Sequence, residues 1–263
     1  MNQGAYLTGK HAIVTGGGGG IGRTISTELA FLGANLTLIG RNREALLALA
    51  QELSDGYSVG VEAATCDVSD ERAVKEVFAH AEHRFGVAYV LVNNAGCGEA
   101  CQLRETSREL WDRTMAVNLT GTFLCSREVL PAMATKGEGR IVNISSTAGL
   151  KGYRDLSAYC ASKHGIIGLT RALAMEVAAA GVTVNSVCPA YVAETGMGEH
   201  AIENVMKKVG TDRAGAIKAL VRGIPRGKLI TPAEVANAVV WLCSPDASSV
   251  TGQSIIVAGG EVM

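Results

Sequence analysis

The chain has 263 residues, of which 48% are hydrophobic and 19% charged, and its formal net charge is −1. This composition excludes intrinsic disorder and gives no electrostatic reason to expect nucleic acid or an anionic membrane as a partner. No signal-peptide core, membrane-spanning stretch, linker or repeat is visible, so one cytoplasmic domain over residues 1–263 is predicted.

Short β-branched apolar runs alternate with longer segments of helical period, a pattern typical of a parallel sheet covered by helices on both faces. The predicted strands are His11–Thr15, Asn35–Ile39, Val59–Thr65, Tyr89–Asn93, Arg140–Ser145, Thr183–Cys188 and Ser254–Val257. The predicted helices are Gly22–Leu32, Arg43–Leu53, Ser69–Phe85, Ser107–Ala134, Ala158–Ala179 and Pro232–Leu242. Helix C-terminal glycines are expected at Gly33, Gly86, Gly139 and Gly181. The pattern predicts an α/β fold with one Rossmann-type, doubly wound parallel sheet of about seven strands.

The segment 194–228 interrupts this alternation. It contains six glycines and resembles one or two helices joined by loops. Long insertions of this kind in compact domains often serve as lids over a binding site. A substrate lid is therefore predicted at about 194–228.

The first strand runs directly into a glycine-rich turn that a helix follows. Glycines let the backbone approach a pyrophosphate closely, and the helix N-terminus offers free N–H groups to the phosphate oxygens. The strand–turn–helix context makes this a better signal than glycine spacing alone. The turn predicts a dinucleotide site that includes Gly16, Gly20, Ile21 and Gly22.

Tyr159 and Lys163 are four residues apart, on one face of a predicted helix. An isolated phenol has a pKa near 10, and a nearby ammonium is expected to lower it toward the working range. Ser146 lies thirteen residues before Tyr159, just after a strand, where its hydroxyl can hydrogen-bond a substrate carbonyl. Ser145 is expected to point the other way, because side chains alternate along a strand.

These motifs resemble those of the short-chain dehydrogenase/reductase family in its compact form, and the resemblance covers essentially the whole chain. Asp67 and Val68 resemble the family's adenine-contact pair, and Asn118 matches its active-site asparagine. The loop after the sixth strand departs from the family pattern: Ala190 replaces a glycine, and Glu194 occupies the slot of a threonine that arrives one position late. The remaining matches are the strand end Asn94, Ala95 and Gly96, and the nicotinamide-side residues Val192 and Thr195.

The resemblance implies a division of roles among these residues. A bound nicotinamide cofactor delivers hydride to the carbonyl carbon, and Tyr159 protonates the oxygen. Lys163 tunes Tyr159 and holds the nicotinamide ribose, while Ser146 orients the carbonyl. Asn118 anchors a water chain that resupplies the proton.

The end of the second strand predicts the cofactor. Gly40 stands where NAD-binding proteins place an acidic residue against the ribose 2′-hydroxyl, and Arg41 follows it. Arg41 can pair with a 2′-phosphate through its guanidinium group, which favours NADPH (NADP+) over NADH. The glycine turn lacks the basic residue that many NADP-binding relatives carry.

Within the family, the runs 159–165 and 183–189 look closest to bacterial 3-oxoacyl and polyketide ketoreductases. The predicted reaction is reduction of a small-molecule ketone to a secondary alcohol. Basic residues of the lid suggest an acyl-coenzyme A or acyl-carrier thioester, although a solvated helix face explains the same charges. Two alternatives are an NAD(H)-linked dehydrogenase that oxidises an alcohol, and a cofactor-sensing regulator without catalysis. The basic lid residues are Lys207, Lys208, Arg213, Lys218, Arg222, Arg226 and Lys228.

The seven cysteines form no C-x-x-C pair and have no partners at zinc-finger spacing, so reduced, mostly buried thiols and no metal site are expected. Family resemblance implies a homotetramer, with the outer faces of the two long predicted helices as candidate interfaces. The physiological substrate, the stereochemistry and the favoured direction stay open at this level.

Overall fold

The computed structural model describes residues 5–263, so the predicted domain is described apart from residues 1–4. Seven parallel strands form one sheet in the order β3-β2-β1-β4-β5-β6-β7. They are β1 His11–Thr15, β2 Asn35–Gly40, β3 Val61–Thr65, β4 Ala88–Asn93, β5 Gly139–Ile144, β6 Val182–Pro189 and β7 Ser254–Val257. The predicted α/β class with a doubly wound parallel sheet is confirmed.

Nine α-helices lie within residues 5–263. They are α1 Gly20–Phe31, α2 Arg43–Gly56, α3 Glu71–Phe85, α4 Arg108–Met115, α5 Gly121–Lys136, α6 Ser157–Val177, α7 Gly196–Val209, α8 Arg213–Leu220 and α9 Pro232–Cys243. None of them is long and apolar enough to cross a membrane. The predicted lid contains two helices, α7 and α8.

Two apolar cores lie on opposite faces of the sheet. Successive strand side chains point to opposite faces, so Val14 joins one core and its neighbour Ile13 joins the other. The first core packs α1, α2 and α9 on the sheet, and the second packs α3, α5 and α6. Because both faces are covered, β1 and β4 are buried along their whole lengths, as expected for parallel strands.

Local caps explain where the predicted boundaries shift. Asp70 accepts hydrogen bonds from two backbone N–H groups of the first turn of α3, so that helix begins at Glu71 rather than at Ser69. Gly137, with φ of 74°, ends α5 in the left-handed conformation. Gly139 is instead the first residue of β5, so its prediction as a helix C-terminal glycine is wrong.

The predicted helix Ser107–Ala134 is interrupted by a π-helical segment, Ala116–Thr120, between α4 and α5. The Gly121 N–H bonds to the Ala116 carbonyl, five residues back instead of four. Such single-turn insertions re-aim side chains and are frequent at functional sites. Here the insertion contains Asn118, which is completely buried.

Candidate active site

A cavity of about 620 Å³ opens at the carboxyl end of the sheet, beside the crevice between β1 and β4. Ligands of open α/β sheets bind at this edge, where the strand order reverses. Helix α7, in the segment predicted as a lid, contributes Met197, Ala201 and Lys208 to the cavity wall. The sequence-predicted residues that line the cavity are Gly16, Gly20, Ile21, Asn94, Ala95, Gly96, Ser146, Tyr159, Lys163, Val192 and Thr195.

The glycine turn is shaped for a close backbone approach and for a ligand above it. A side-chain carbon on Gly22 would lie 2.1 Å from the Gly16 carbonyl oxygen, so the first turn of α1 tolerates only glycine there. A side-chain carbon on Gly19 would meet no atom within 4 Å, so the N-terminus of α1 faces open space. This arrangement fits a pyrophosphate at the free N–H groups of the helix.

Thr15 joins the glycine turn to the loop after β4, a role that the sequence analysis missed. Its hydroxyl oxygen accepts hydrogen bonds from the backbone N–H groups of Asn94 and Ala95, both at 3.0 Å. Asn94 Nδ2 donates back to the carbonyls of Thr15 and Gly16 at 3.0 and 3.1 Å. The two loops across the crevice are therefore fixed relative to each other.

Arg41, Asp67 and Val68 lie outside the cavity lining, beyond the ends of the neighbouring strands β2 and β3. Arg41 is 76% exposed, and its Nη1 stands 4.0 Å from Asp67 Oδ2. Hydrogen bonds from Ser69 lower the pKa of Asp67 and hold its carboxylate in place. Val68 is buried against Gly121. The end of this groove offers an exposed guanidinium group, only loosely paired with Asp67, at the position expected for the adenosine ribose.

The residues predicted as catalytic lie on two elements that meet under the cavity. Tyr159 and Lys163 are on α6, and Lys163 Nζ stands 5.5 Å from the centroid of the Tyr159 ring. Ser146 follows β5, and its Oγ accepts from the Ala148 N–H at 3.1 Å and lies 3.5 Å from the Pro189 carbonyl oxygen. Ser145 Oγ instead donates to the Lys163 carbonyl at 3.0 Å, so the adjacent serines have different hydrogen-bond partners although both line the cavity.

Burial dominates the titration of both groups. Desolvation raises the pKa of Tyr159 to about 12, and the neighbouring Ser146 hydroxyl acts in the opposite direction. Desolvation also lowers the pKa of Lys163 to about 8, and its Nζ donates to the Ile144 carbonyl at 2.8 Å. The expected lowering of the Tyr159 pKa is not found, because burial disfavours the phenolate more than its neighbours favour it.

Asn118 lies beneath the cavity rather than in its wall. Its Oδ1 accepts from the Cys97 N–H at 2.8 Å, and its Nδ2 donates to the Cys97 carbonyl at 2.8 Å and to Ser162 Oγ at 2.9 Å. A side-chain carbon on Gly96 would lie 3.3 Å from Asn118 Oδ1 and 3.6 Å from Lys163 Nζ. The asparagine and the lysine therefore face the same small space below the strand ends.

The loop after β6 returns its late threonine to the glycine turn. Glu194 takes the left-handed conformation, with φ of 56°. Thr195 Oγ1 then caps α7 by accepting from the Gly198 N–H at 3.0 Å, and it donates to the Val192 carbonyl at 3.1 Å. Val192 and Thr195 both line the cavity, although the family pattern places the threonine one residue earlier.

Three acidic partners neutralise part of the basic lid. Arg213 pairs with Glu199, Arg226 pairs with Glu234, and Lys208 Nζ lies 3.2 Å from Asp155 Oδ2. The seven cysteines are free, and no group of three or more metal-ligating side chains occurs within residues 5–263.

Comparison with known proteins gives one consistent result. A family model described as short chain dehydrogenase matches residues 10–205. A Streptomyces violaceoruber protein, named as a ketoacyl reductase of the granaticin polyketide synthase, is 40% identical over 95% of this chain and 92% of its own. D-beta-hydroxybutyrate dehydrogenase of Rhizobium meliloti is 38% identical over 95% of this chain and 98% of its own.

Among solved structures, a variant of actinorhodin polyketide ketoreductase with NADPH superposes with a TM-score of 0.91 and 37% sequence identity. It covers 96% of this chain and 97% of its own. Levodione reductase gives the same TM-score at 31% identity, covering 97% of this chain and 98% of its own.

Proposed function

This chain belongs to the short-chain dehydrogenase/reductase family and is an oxidoreductase, and we propose that it reduces a ketone to a secondary alcohol with NADPH. One observation carries the proposal: Tyr159, Ser146 and Lys163 meet in a single cavity that the glycine turn also lines. When bound, NADPH supplies the hydride that the carbonyl carbon accepts.

In this proposal, residues of the chain polarise the substrate carbonyl and protonate its oxygen. The Tyr159 and Ser146 hydroxyls donate hydrogen bonds to the carbonyl oxygen, which polarises the carbonyl. Tyr159 gives its proton to the developing alkoxide, and the Lys163 ammonium stabilises the phenolate that remains. Asn118 holds the Cys97 backbone beside Lys163 and in this proposal anchors the water chain that returns the proton.

Burial keeps Tyr159 in its protonated form at neutral pH. A phenol whose pKa is raised to about 12 keeps its proton at neutral pH and is ready to donate it. Alcohol oxidation requires the phenolate as a base, which burial disfavours.

NADPH is the proposed cofactor because Arg41 is exposed at the groove end and no acidic residue occupies position 40. The structural relative solved with NADPH supports the same choice. The relatives named for ketoacyl substrates suggest a 3-oxoacyl or polyketide-like carbonyl as substrate. Because three lid cations are paired with acidic residues, the lid charge by itself gives weak support for a thioester.

Homotetrameric assembly and a cytoplasmic location remain predictions. Phe123 on α5 and Met175 on α6 are 42% and 85% exposed, which supports a use of these helices as interfaces. Sedimentation of the purified protein would distinguish a tetramer from a monomer.

The decisive experiment follows oxidation of NADPH and NADH by the purified protein with acetoacetyl-coenzyme A, an aryl ketone and a bicyclic ketone. Tyr159→Phe should lower turnover by about a thousandfold or more, because the proton donor is lost. NADPH binding, measured by fluorescence, should change little. Tyr57→Phe, remote from the cavity, is the matched control and should retain full turnover. Undiminished turnover by Tyr159→Phe would refute the mechanism.

A further inference from the structure

Two tyrosines outside the catalytic set form a corner of the cavity. The rings of Tyr153 and Tyr191 have centroids 6.5 Å apart and planes at 85° to each other. Both line the same cavity as Tyr159 and Ser146. A planar group placed in such a corner can stack on one ring and meet the edge of the other, both favourable arrangements for aromatic rings.

The Tyr153 hydroxyl is fully engaged by its neighbours. It donates to Glu261 Oε1 at 2.7 Å, and it lies 2.6 Å from Thr147 Oγ1. An ionised carboxylate can only accept, so the Tyr153 proton goes to Glu261 and the Thr147 hydroxyl donates to the Tyr153 oxygen. With its donor and acceptor both used, Tyr153 offers the cavity mainly the apolar surface of its ring.

Glu261 comes from the end of the chain, beyond β7, and is anchored firmly. Its side chain is only 6% exposed, and Lys151 Nζ stands 3.2 Å from its Oε1. The same ammonium lies 4.9 Å from the centroid of the Tyr153 ring, within cation–π range. Burying a carboxylate is costly unless it is paired, and the second oxygen, Oε2, has no partner among the described residues. The buried Glu261 carboxylate thus accepts the hydrogen bond that holds Tyr153 in place.

We propose that Glu261 is a positioning residue that holds Tyr153 against Tyr191 as an aromatic wall, and that this wall makes the protein prefer ring-bearing ketones to open-chain ketones. The inference rests on the proposed ketone reduction and names the substrate class for that same site. A rigid ring gains contact with both tyrosines. An open chain makes poorer contact and loses more conformational freedom on binding.

The test compares 1-tetralone with 2-octanone as substrates, using the ratio of their kcat/KM values. Tyr153→Leu removes the aromatic ring but keeps an apolar side chain, and it should lower the preference for 1-tetralone by about tenfold, chiefly through KM. Glu261→Ala and Tyr153→Phe should each lower the preference by a smaller factor. Since both break the same hydrogen bond, the double variant should be no worse than either single one.

A conservative variant of Glu261 and a remote control variant distinguish a positioning role from a general loss of structure. Glu261→Gln keeps an acceptor of the same shape and should restore most of the preference lost in Glu261→Ala. Glu82→Ala, an exposed glutamate on α3, should leave the preference unchanged. The inference is overturned if the losses of preference multiply in the double variant Glu261→Ala/Tyr153→Phe. It is also overturned if the variants only lower kcat, by the same factor for both ketones.

A binding measurement distinguishes failure of the wall from failure of the proposed function. Calorimetry of 1-tetralone with Tyr159→Phe protein should show binding that Tyr153→Leu weakens by about tenfold. Ketone turnover with the same ratio of kcat/KM values in all variants would reject the aromatic wall but leave the proposed ketone reduction intact. Binding of 1-tetralone that depends on Tyr153, without ketone turnover by the wild-type protein, would reject the proposed ketone reduction but leave the aromatic wall intact.

Discussion

Thr195 lies directly against Gly20: a side-chain carbon on Gly20 would stand 3.4 Å from both Thr195 Cβ and Thr195 Cγ2. The contact is made although the loop places this threonine one residue later than the family pattern. The left-handed Glu194 precedes it, with φ of 56°. We infer that backbone strain at Glu194 absorbs the extra residue and returns Thr195 to the phosphate-binding turn.

Relief of this strain should stabilise the protein. An L-residue in the left-handed region costs about 1–2 kcal/mol, and glycine avoids that cost. We expect Glu194→Gly to have a free energy of unfolding about 1 kcal/mol higher than Glu194→Ala, measured by urea denaturation. Glu194→Ala removes the same side chain and keeps the strain, so equal stability of the two variants would contradict the explanation.

The pKa of Lys163 predicts the alkaline limit of ketone reduction. Burial lowers this pKa to about 8, so Lys163 is an ammonium below that pH and a neutral amine above it. Loss of the charge leaves the Tyr159 phenolate without its cation, and kcat/KM should fall as the pH rises through about 8. Lys163→Arg, whose guanidinium stays charged, should move this decline upward in a profile from about pH 6 to about pH 10. If kcat/KM of Lys163→Arg fell at the same pH as that of the wild-type protein, the decline would belong to another titrating group.

Arg41 should determine the choice between the two nicotinamide cofactors. Its exposed guanidinium is free to pair with a 2′-phosphate, an interaction that NADH cannot make. Arg41→Ala should lower the NADPH-to-NADH ratio of kcat/KM by about tenfold or more, and Arg41→Asp should lower it further. Arg43→Ala, an exposed arginine two residues later, is the control. A constant ratio would remove Arg41 from cofactor recognition.

The ion pair between Lys208 and Asp155 should hold the lid over the cavity. Lys208 is on α7, and the Asp155 carbonyl accepts from the Cys101 N–H at 2.7 Å, so the pair links the lid to two loops at the cavity. Asp155→Asn keeps a residue that tolerates its φ of 63° but removes the charge. Exposed pairs are worth about 0.2–1 kcal/mol, so KM for the ketone should rise by about 1.4-fold to fivefold.

A change in KM alone would assign the ion pair between Lys208 and Asp155 to lid closure. The turnover number kcat should change little, because neither residue touches the reacting groups. Lys207→Ala, on the same helix, should leave KM unchanged. A fall in kcat with constant KM would show that the pair acts on another step.

The strands, the glycine turn and the spacing of Tyr159 and Lys163 were predictable because each depends on local sequence. A buried parallel strand needs a continuous apolar run, and a phosphate-binding turn needs glycines at fixed positions. Some boundaries shifted because a capping side chain such as Asp70 competed with the periodic pattern. The fold class and the place of the catalytic edge therefore followed from the sequence alone.

Only the tertiary structure decided what depends on contacts between distant residues. The π-helical segment at Asn118, the pairing of Tyr153 with Glu261 and the backbone conformation of Glu194 have no sequence pattern of their own. The pKa of Tyr159 reversed its expected direction for the same reason. Desolvation depends on everything packed around a group, and neighbours that come from several strands and helices are known only once the chain has folded.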